Sequence, residues 1–182
     1  FRLVPHQEAP TNVCWGMSNR SVLVRVPLGW TSGEDMCHKA NNVEPLTARD
    51  YSIKQTVEMR SPDASADIYQ LLAGLCVACR HGFEMQNAEA EAERTFADGD
   101  IHDPKNAERY ATLAQLPDSC AASADCLERQ RKIYEEYDVF SPAMIDGIIK
   151  QLRSYNDRTL RQELKGNEAM MEKLVRQYFH CG

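Results

Sequence analysis

The chain has 182 residues, 43% hydrophobic and 26% charged, with a formal net charge of −6. That length suits one sizeable domain, and no apolar run approaches the roughly eighteen residues of a membrane span. Charge is uneven: residues 1–60 carry seven Lys and Arg against six Asp and Glu, and the other 122 carry 14 against 21, which suits small anionic ligands better than nucleic acid.

The first twelve residues place Arg2 and Glu8 among Pro5 and Pro10, a pattern that predicts a loop. Residues 12–16 make a short strand pattern, and Gly16 to Ser18 a turn. Asn19–Pro27 and Lys54–Asp63 are each β-branched or apolar and each carries a proline, which predicts two strands. Strand alternation puts Glu58 and Arg60 on one face with Thr56, and Val57 and Met59 on the other. Arg20 and Arg25 are an odd number of residues apart. Arg20 must therefore sit at the start of its strand, or beyond a bulge, to join Arg25. Such charges on strands made for burial need a partner or a charged ligand. A surface salt bridge of little energetic weight is the plainer reading of the same residues.

Between the two strands, 28–53 is expected to form a long hairpin connection at a subunit contact. Its Cys37-His38 pair lacks the third and fourth ligands that zinc requires. Beyond Pro62-Asp63 the pattern becomes helical. Ala64, Ala66, Ile68, Leu71, Leu72, Leu75, Cys76 and Cys79 predict a helix buried on most sides, with Gly82 near its end. Cys76 and Cys79 are read as small packed hydrophobes rather than a redox pair. The acidic stretch 84–103 has no calcium-loop spacing and is read as a solvated helix and loop. Pro104 opens a short helix, Ser123 is expected to cap a helix over 124–137, and Ser141-Pro142 starts another. Ile145, Ile148, Ile149, Leu152 and Tyr155 recur at helical spacing, and Ala169, Met170, Leu174 and Tyr178 mark a last helix. Seven cysteines, an odd number, and no leader pattern point to a reducing cytoplasmic setting.

In order along the chain stand R-L-V-P-x-x-E-A-P, N-R-S-x-x-x-R-x-P and E-x-R-x-P-D-x-S-A. In order and spacing these three resemble the carboxyl-terminal half of the glutamine synthetase catalytic domain. The resemblance implies an α+β fold, with front antiparallel strands from a larger sheet backed by a mainly helical layer. Residues 1–63 would hold the active-site flap and strands, and 64–182 the helical layer. It implies a substrate-glutamate contact for Arg2, and a flap carboxylate that accepts the amine's proton for Glu8. Arg20 and Arg25 would hold nucleotide phosphates and the transferred phosphoryl group, Glu58 would ligate the bridging metal, and Arg60 would hold the substrate carboxylate. The implied cofactors are ATP and Mg²⁺ or Mn²⁺, and the implied partners are glutamate, ammonia and like subunits in a ring-like homo-oligomer. Nucleic acid and membrane are not expected partners.

The chemistry behind these roles is general. Phosphoryl transfer needs positive charge on the transferred oxygens, arginine's planar fork suits phosphate and carboxylate, and hard cations take oxygen ligands. Two departures stand out. Thr56 occupies a position where the family usually has arginine, and the 26-residue connection after Pro27 is longer than in common bacterial members. Both suit a divergent subfamily and leave the acceptor amine open. Because the chain opens directly on a family motif, it is expected to be a fragment, inactive alone, of a larger enzyme. A related glutamate–amine ligase and a non-catalytic helical assembly module are the alternatives.

Overall fold

The computed structural model describes residues 9–28, 35–47, 56–63 and 66–179. Its architecture is α+β: a three-stranded sheet followed by a helical remainder. The strands are β1 (Trp15–Met17), β2 (Val24–Val26) and β3 (Glu58–Met59), in the order β1-β2-β3. β2 and β3 are antiparallel, with Val24 opposite Met59 and Arg25 opposite Glu58. β1 runs parallel to β2, with Trp15 opposite Val24, a pairing that the expectation of antiparallel front strands did not contain.

Among the described residues, regular pairing covers only Val24–Val26 and Glu58–Met59 of the spans 19–27 and 54–63 expected from residue type. The reason lies in residues 18–23. Ser18 adopts a left-handed conformation (φ 53°) and donates its N–H to Val26 O at 2.8 Å, so the chain doubles back after β1. The Asn19 side chain then accepts from Ser21 N–H at 2.9 Å, a local turn that competes with ladder bonding. β1 gains a further neighbour from the acidic stretch. Ala97 N–H donates to Trp15 O at 2.8 Å, and the Trp15 and Phe96 rings lie 4.9 Å apart. This approach requires Gly16, because a Cβ there would sit 2.3 Å from Ala97 O. Cys14, Val22, Ala97, Tyr110 and Leu113 form the apolar cluster at this end.

The helices are α1 (Met36–Ala40), α2 (Ile68–Glu84), α3 (Ala88–Thr95), α4 (Cys120–Glu135), α5 (Pro142–Ser154), α6 (Leu160–Leu164) and α7 (Glu168–Tyr178). Ser141 caps α5 as expected, accepting from Met144 N–H at 3.3 Å. The start of α4 is corrected from Ser123 to Ser119, whose hydroxyl accepts from Ala122 N–H. Ser123 is instead inside the first turn and donates to Ser119 O. A more distant residue completes this start: Asp157, past the end of α5, accepts from Cys120 N–H at 2.6 Å and Ala121 N–H at 3.0 Å. Val77, Ala124, Phe140, Ile145 and Ile149 form the second apolar cluster, joining α2, α4 and α5. No helix among the described residues is long and apolar enough to cross a membrane.

The expectation that the first long helix is buried on most sides does not hold within these residues. Of α2 only Val77 is fully buried, and Cys76 and Cys79 are exposed rather than packed. The physical reason is that α4, α5 and Phe140 cover a single face of α2, through Ala73 and Val77.

Two outcomes follow from this packing. Gly16→Ala is expected to destabilise by about 1–3 kcal/mol, because the clash is with backbone that cannot rotate away; urea midpoints check this, and an unchanged midpoint would contradict the close approach. Burial alone would push the Asp157 carboxyl up, but the amides of Cys120 and Ala121 outweigh it and leave the group lowered. The stability it contributes is therefore complete above the unfolded Asp value of about 3.9 and is lost as pH falls through the lower folded value. Asp157→Asn is expected to cost about 1–2 kcal/mol at neutral pH and to flatten the acid limb of a stability–pH profile.

Candidate active site

The site grows from the β2–β3 register. Because Arg25 and Glu58 are directly opposed, their side chains leave the sheet on one face, and Arg25 Nη2 meets Glu58 Oε2 at 2.5 Å. Arg60, two residues on from Glu58, approaches the other carboxylate oxygen with Nε at 3.5 Å. One carboxylate thus lies between two guanidinium groups. Arg25 Nε is buried and finds no hydrogen-bond partner among the described residues, an orphaned donor beside a second guanidinium.

Arg20 lies in the loop before β2, off the strand, and its side chain is exposed. It pairs with no carboxylate among the described residues. Arg60 holds the loop that carries it: the Arg60 main chain donates to Leu23 O at 3.0 Å, and its Nη1 donates to Arg20 O and, at 3.3 Å, to Val22 O. Arg60 therefore ties the two arginine-bearing segments together through backbone. Arg2 and Glu8 lie outside the described residues.

Asn19 secures the far side of the loop, and it is the residue that sequence reasoning passed over. Its side-chain amide donates to Ala97 O at 3.0 Å and Gly99 O at 2.8 Å, and its oxygen accepts from Ser21 main chain and hydroxyl. Ser21 Oγ in turn accepts from Ile101 N–H at 3.1 Å. Tyr110 fixes the receiving segment by accepting from Gly99 N–H and donating to Asp98. Those bonds from Tyr110, then Arg109, hold the Asp98 carboxyl below its usual range. The one available signal was Asn followed by Ser two residues later, a frequent side-chain turn.

An open hollow of about 380 Å³ borders Arg20, lined also by Asn19, Ser21, Asp98 and Asp100. Its two carboxylates make it a poor cradle for phosphate by itself. Arg25 and Arg60 instead meet at the Glu58 carboxylate, two guanidinium groups against one carboxylate among the described residues, while Arg20 stays at the hollow. A divalent cation is a different matter. Glu58 offers the right donor, but both its oxygens face arginines, and no group of three His, Cys, Asp or Glu stands ready among the described residues. Mg²⁺ wants six oxygens, so these residues alone do not complete a metal site.

The remaining motifs of the front resolve into local structure. In the connecting segment Asp35 accepts from the main chains of Cys37, His38 and Thr47 and from the Thr47 hydroxyl. Led by the Thr47 bonds, this holds its carboxyl far below the usual range. His38 Nδ1 lies 2.6 Å from Glu44 O, so the ring stays within its own loop.

Among the described residues, the front of this α+β scaffold sets Arg25 and Arg60 on the Glu58 carboxylate, and guanidinium forks of this kind suit phosphate or carboxylate groups. A profile of the glutamine synthetase catalytic domain matches residues 1–171, and the chain belongs to that family. Among curated relatives, it is 31% identical to a glutamine synthetase of Streptomyces coelicolor over 145 residues, covering 80% of this chain and 26% of the relative. Against a glutamine synthetase of Pyrococcus abyssi it is 27% identical over 180 residues, covering 98% and 35%. A Vibrio cholerae glutamine synthetase is 28% identical over 148 residues, covering 81% and 26%. The chain thus spans about a quarter to a third of the length of these relatives.

Removing the Asn19 pin tests how the loop is held. In Asn19→Ala, amide exchange at Ser21 and Ile101 is expected to quicken by about tenfold or more, for the loss of bonds worth about 1.4 kcal/mol together. Exchange at Val24, whose N–H donates to Cys14 O, is expected to hold. Equal acceleration everywhere would mean that Asn19 supports the whole fold and not this loop.

Proposed function

We propose that this chain supplies part of the active site of an ATP-dependent ligase that joins ammonia to glutamate through a γ-glutamyl phosphate intermediate. The observation that carries this reading is the cross-strand opposition of Arg25 and Glu58, with Arg60 on the same carboxylate. In it, Arg25 and Arg20 receive the nucleotide's phosphates and the transferred phosphoryl group. The orphaned Arg25 Nε supports that role, because a phosphate oxygen would satisfy it. Glu58 contributes one metal ligand, with Mg²⁺ or Mn²⁺ completed by groups outside the described residues. When bound, the ion neutralises charge on the phosphates. Arg60 holds the glutamate carboxylate, Arg2 contacts the same substrate, and Glu8 takes a proton from the attacking amine while screening the intermediate from water.

In this reading Glu58 keeps the two arginines extended and mutually tolerable before substrates arrive. Two cations at this separation repel, and a carboxylate between them removes that cost. Anion binding then draws Arg25 from a carboxylate toward a phosphate, an exchange of one charge-assisted partner for another.

The test is turnover and nucleotide affinity of variants in the full-length enzyme. Glu8→Ala is expected to lose about 10²–10⁴-fold in glutamine formation with nucleotide affinity kept, whereas Arg25→Ala loses both. Near-normal turnover in Arg25→Ala would remove the phosphate role. The 182 residues alone are expected to release no phosphate from ATP in the presence of glutamate and ammonium, measured as inorganic phosphate; substantial release would show that the chain is self-sufficient.

A further inference from the structure

Among the described residues, Arg25 and Arg60 are placed by the Glu58 carboxylate between them, and Arg20 has no such anchor. Arg20 lies in the loop before β2, with an exposed side chain that borders the open hollow. Its position therefore depends on how its backbone is held. Arg60 Nη1 holds the Arg20 carbonyl from one side. On the other, both sequence neighbours of Arg20 reach one distant segment, residues 97–101. Asn19 donates to the carbonyls of Ala97 and Gly99, and Ser21 Oγ accepts from Ile101 N–H.

This receiving segment belongs to no helix or strand, so it needs fastening of its own. The Tyr110 hydroxyl supplies much of it, accepting from Gly99 N–H at 3.0 Å and donating to Asp98 Oδ1 at 2.9 Å. Gly99 is thus held at both backbone polar groups, its N–H by Tyr110 and its carbonyl by Asn19. The Tyr110 ring is buried in one cluster with Val22 and Ala97, which fixes the hydroxyl in turn. Asn106 adds a bond from its side-chain amide to Asp100 O at 2.9 Å. Tyr110 has a second effect. Asp98 borders the same hollow as Arg20, yet its carboxylate is engaged by Tyr110 and Arg109, and Arg20 makes no ion pair with it.

We propose that Tyr110 is a positioning residue for nucleotide binding. Through Gly99 and Asn19 it sets the backbone of the Arg20 loop, and by engaging Asp98 it keeps the Arg20 guanidinium available to a phosphate. This rests on the phosphate role proposed above for Arg20. A flexible arginine binds well only when its loop is held in place beforehand, because ordering it on binding weakens the affinity. Tyr110 is 90 residues away in sequence and reaches Arg20 only through other groups.

Tyr110→Phe, Arg20→Ala and the double variant of the full-length enzyme are compared with the parent by calorimetric titration with a non-hydrolysable ATP analogue. Steady-state kinetics in ATP and in glutamate accompany the titrations. Arg20→Ala is expected to weaken analogue binding by about tenfold or more, for the loss of a charge-assisted contact. Tyr110→Phe keeps the buried ring and is expected to raise the analogue Kd and the KM for ATP by about tenfold, with the KM for glutamate changed less than about twofold. In the Arg20→Ala background the same substitution is expected to change the Kd by less than about twofold, since the group it positions is gone. Should Tyr110→Phe fold poorly, Asn106→Ala loosens the same segment without entering the apolar cluster, and about a threefold rise in Kd is expected, again only when Arg20 is present. An unchanged Kd in Arg20→Ala would remove the phosphate role of Arg20 and this proposal with it. Where Arg20→Ala does weaken binding, three results would overturn the positioning role alone: an unchanged Kd on loosening the segment, an equal loss in both backgrounds, or an equal rise in the KM for glutamate.

Discussion

The opposition of Arg25 and Glu58 across β2 and β3 constrains the front of the molecule more than any other contact. A half-buried guanidinium without a counter-charge is costly, and so is a carboxylate displaced by one residue to the other face of a strand. The ion pair therefore demands one register. Strands of three and two residues are too short to enforce a register by ladder bonds alone. The structure answers with side-chain ties: Arg60 to the carbonyls of the preceding loop, and Asn19 to the carbonyls of residues 97 and 99. Local order here comes from these few polar groups and from the tight seat of Gly16 against Ala97.

The helical half is organised differently. Arg131 meets Glu135 and Asp146, and Arg153 meets Asp125 and Glu128, so charge links run across α4 and α5. Each is partly exposed, and exposed pairs contribute little individually. Their arrangement does more for alignment than for stability. The energy of the pair lies in Ala124, Ile145 and Ile149, whose burial removes apolar surface from water.

What could be read from residues alone follows from how local each determinant is. Ser141-Pro142 acts within one turn, and the structure shows its cap. The motif order placed Glu58 beside Arg60, and the strand period put both on one face. Strand length was misjudged because β-propensity at residues 19–23 lost to an Asn side-chain turn. Ser123 was preferred to Ser119 because both are serines at compatible positions, and the deciding partner, Asp157, is 37 residues from Cys120. The hydrophobicity of α2 was legible, but its coverage was not, since coverage depends on which residues are present to pack against it. Of the Asn19 network only the local turn to Ser21 had a sequence signal; its distant acceptors are the backbone carbonyls of Ala97 and Gly99, which carry none.

Asp157 also gives the α4–α5 pair a distinctive topology. By bonding the first amides of α4 from just beyond α5, it brings the chain's points of arrival and departure to one end. At the other end, Tyr137 and Asp138 turn the corner with φ of 60° and 56°, conformations that non-glycine residues adopt at some cost. The pair is thus a closed lobe with a strained tip and a tied neck. A proteolytic cut at the tip would release backbone strain while leaving both halves joined at the neck and along their apolar seam, so the lobe can lose continuity of chain without losing its shape.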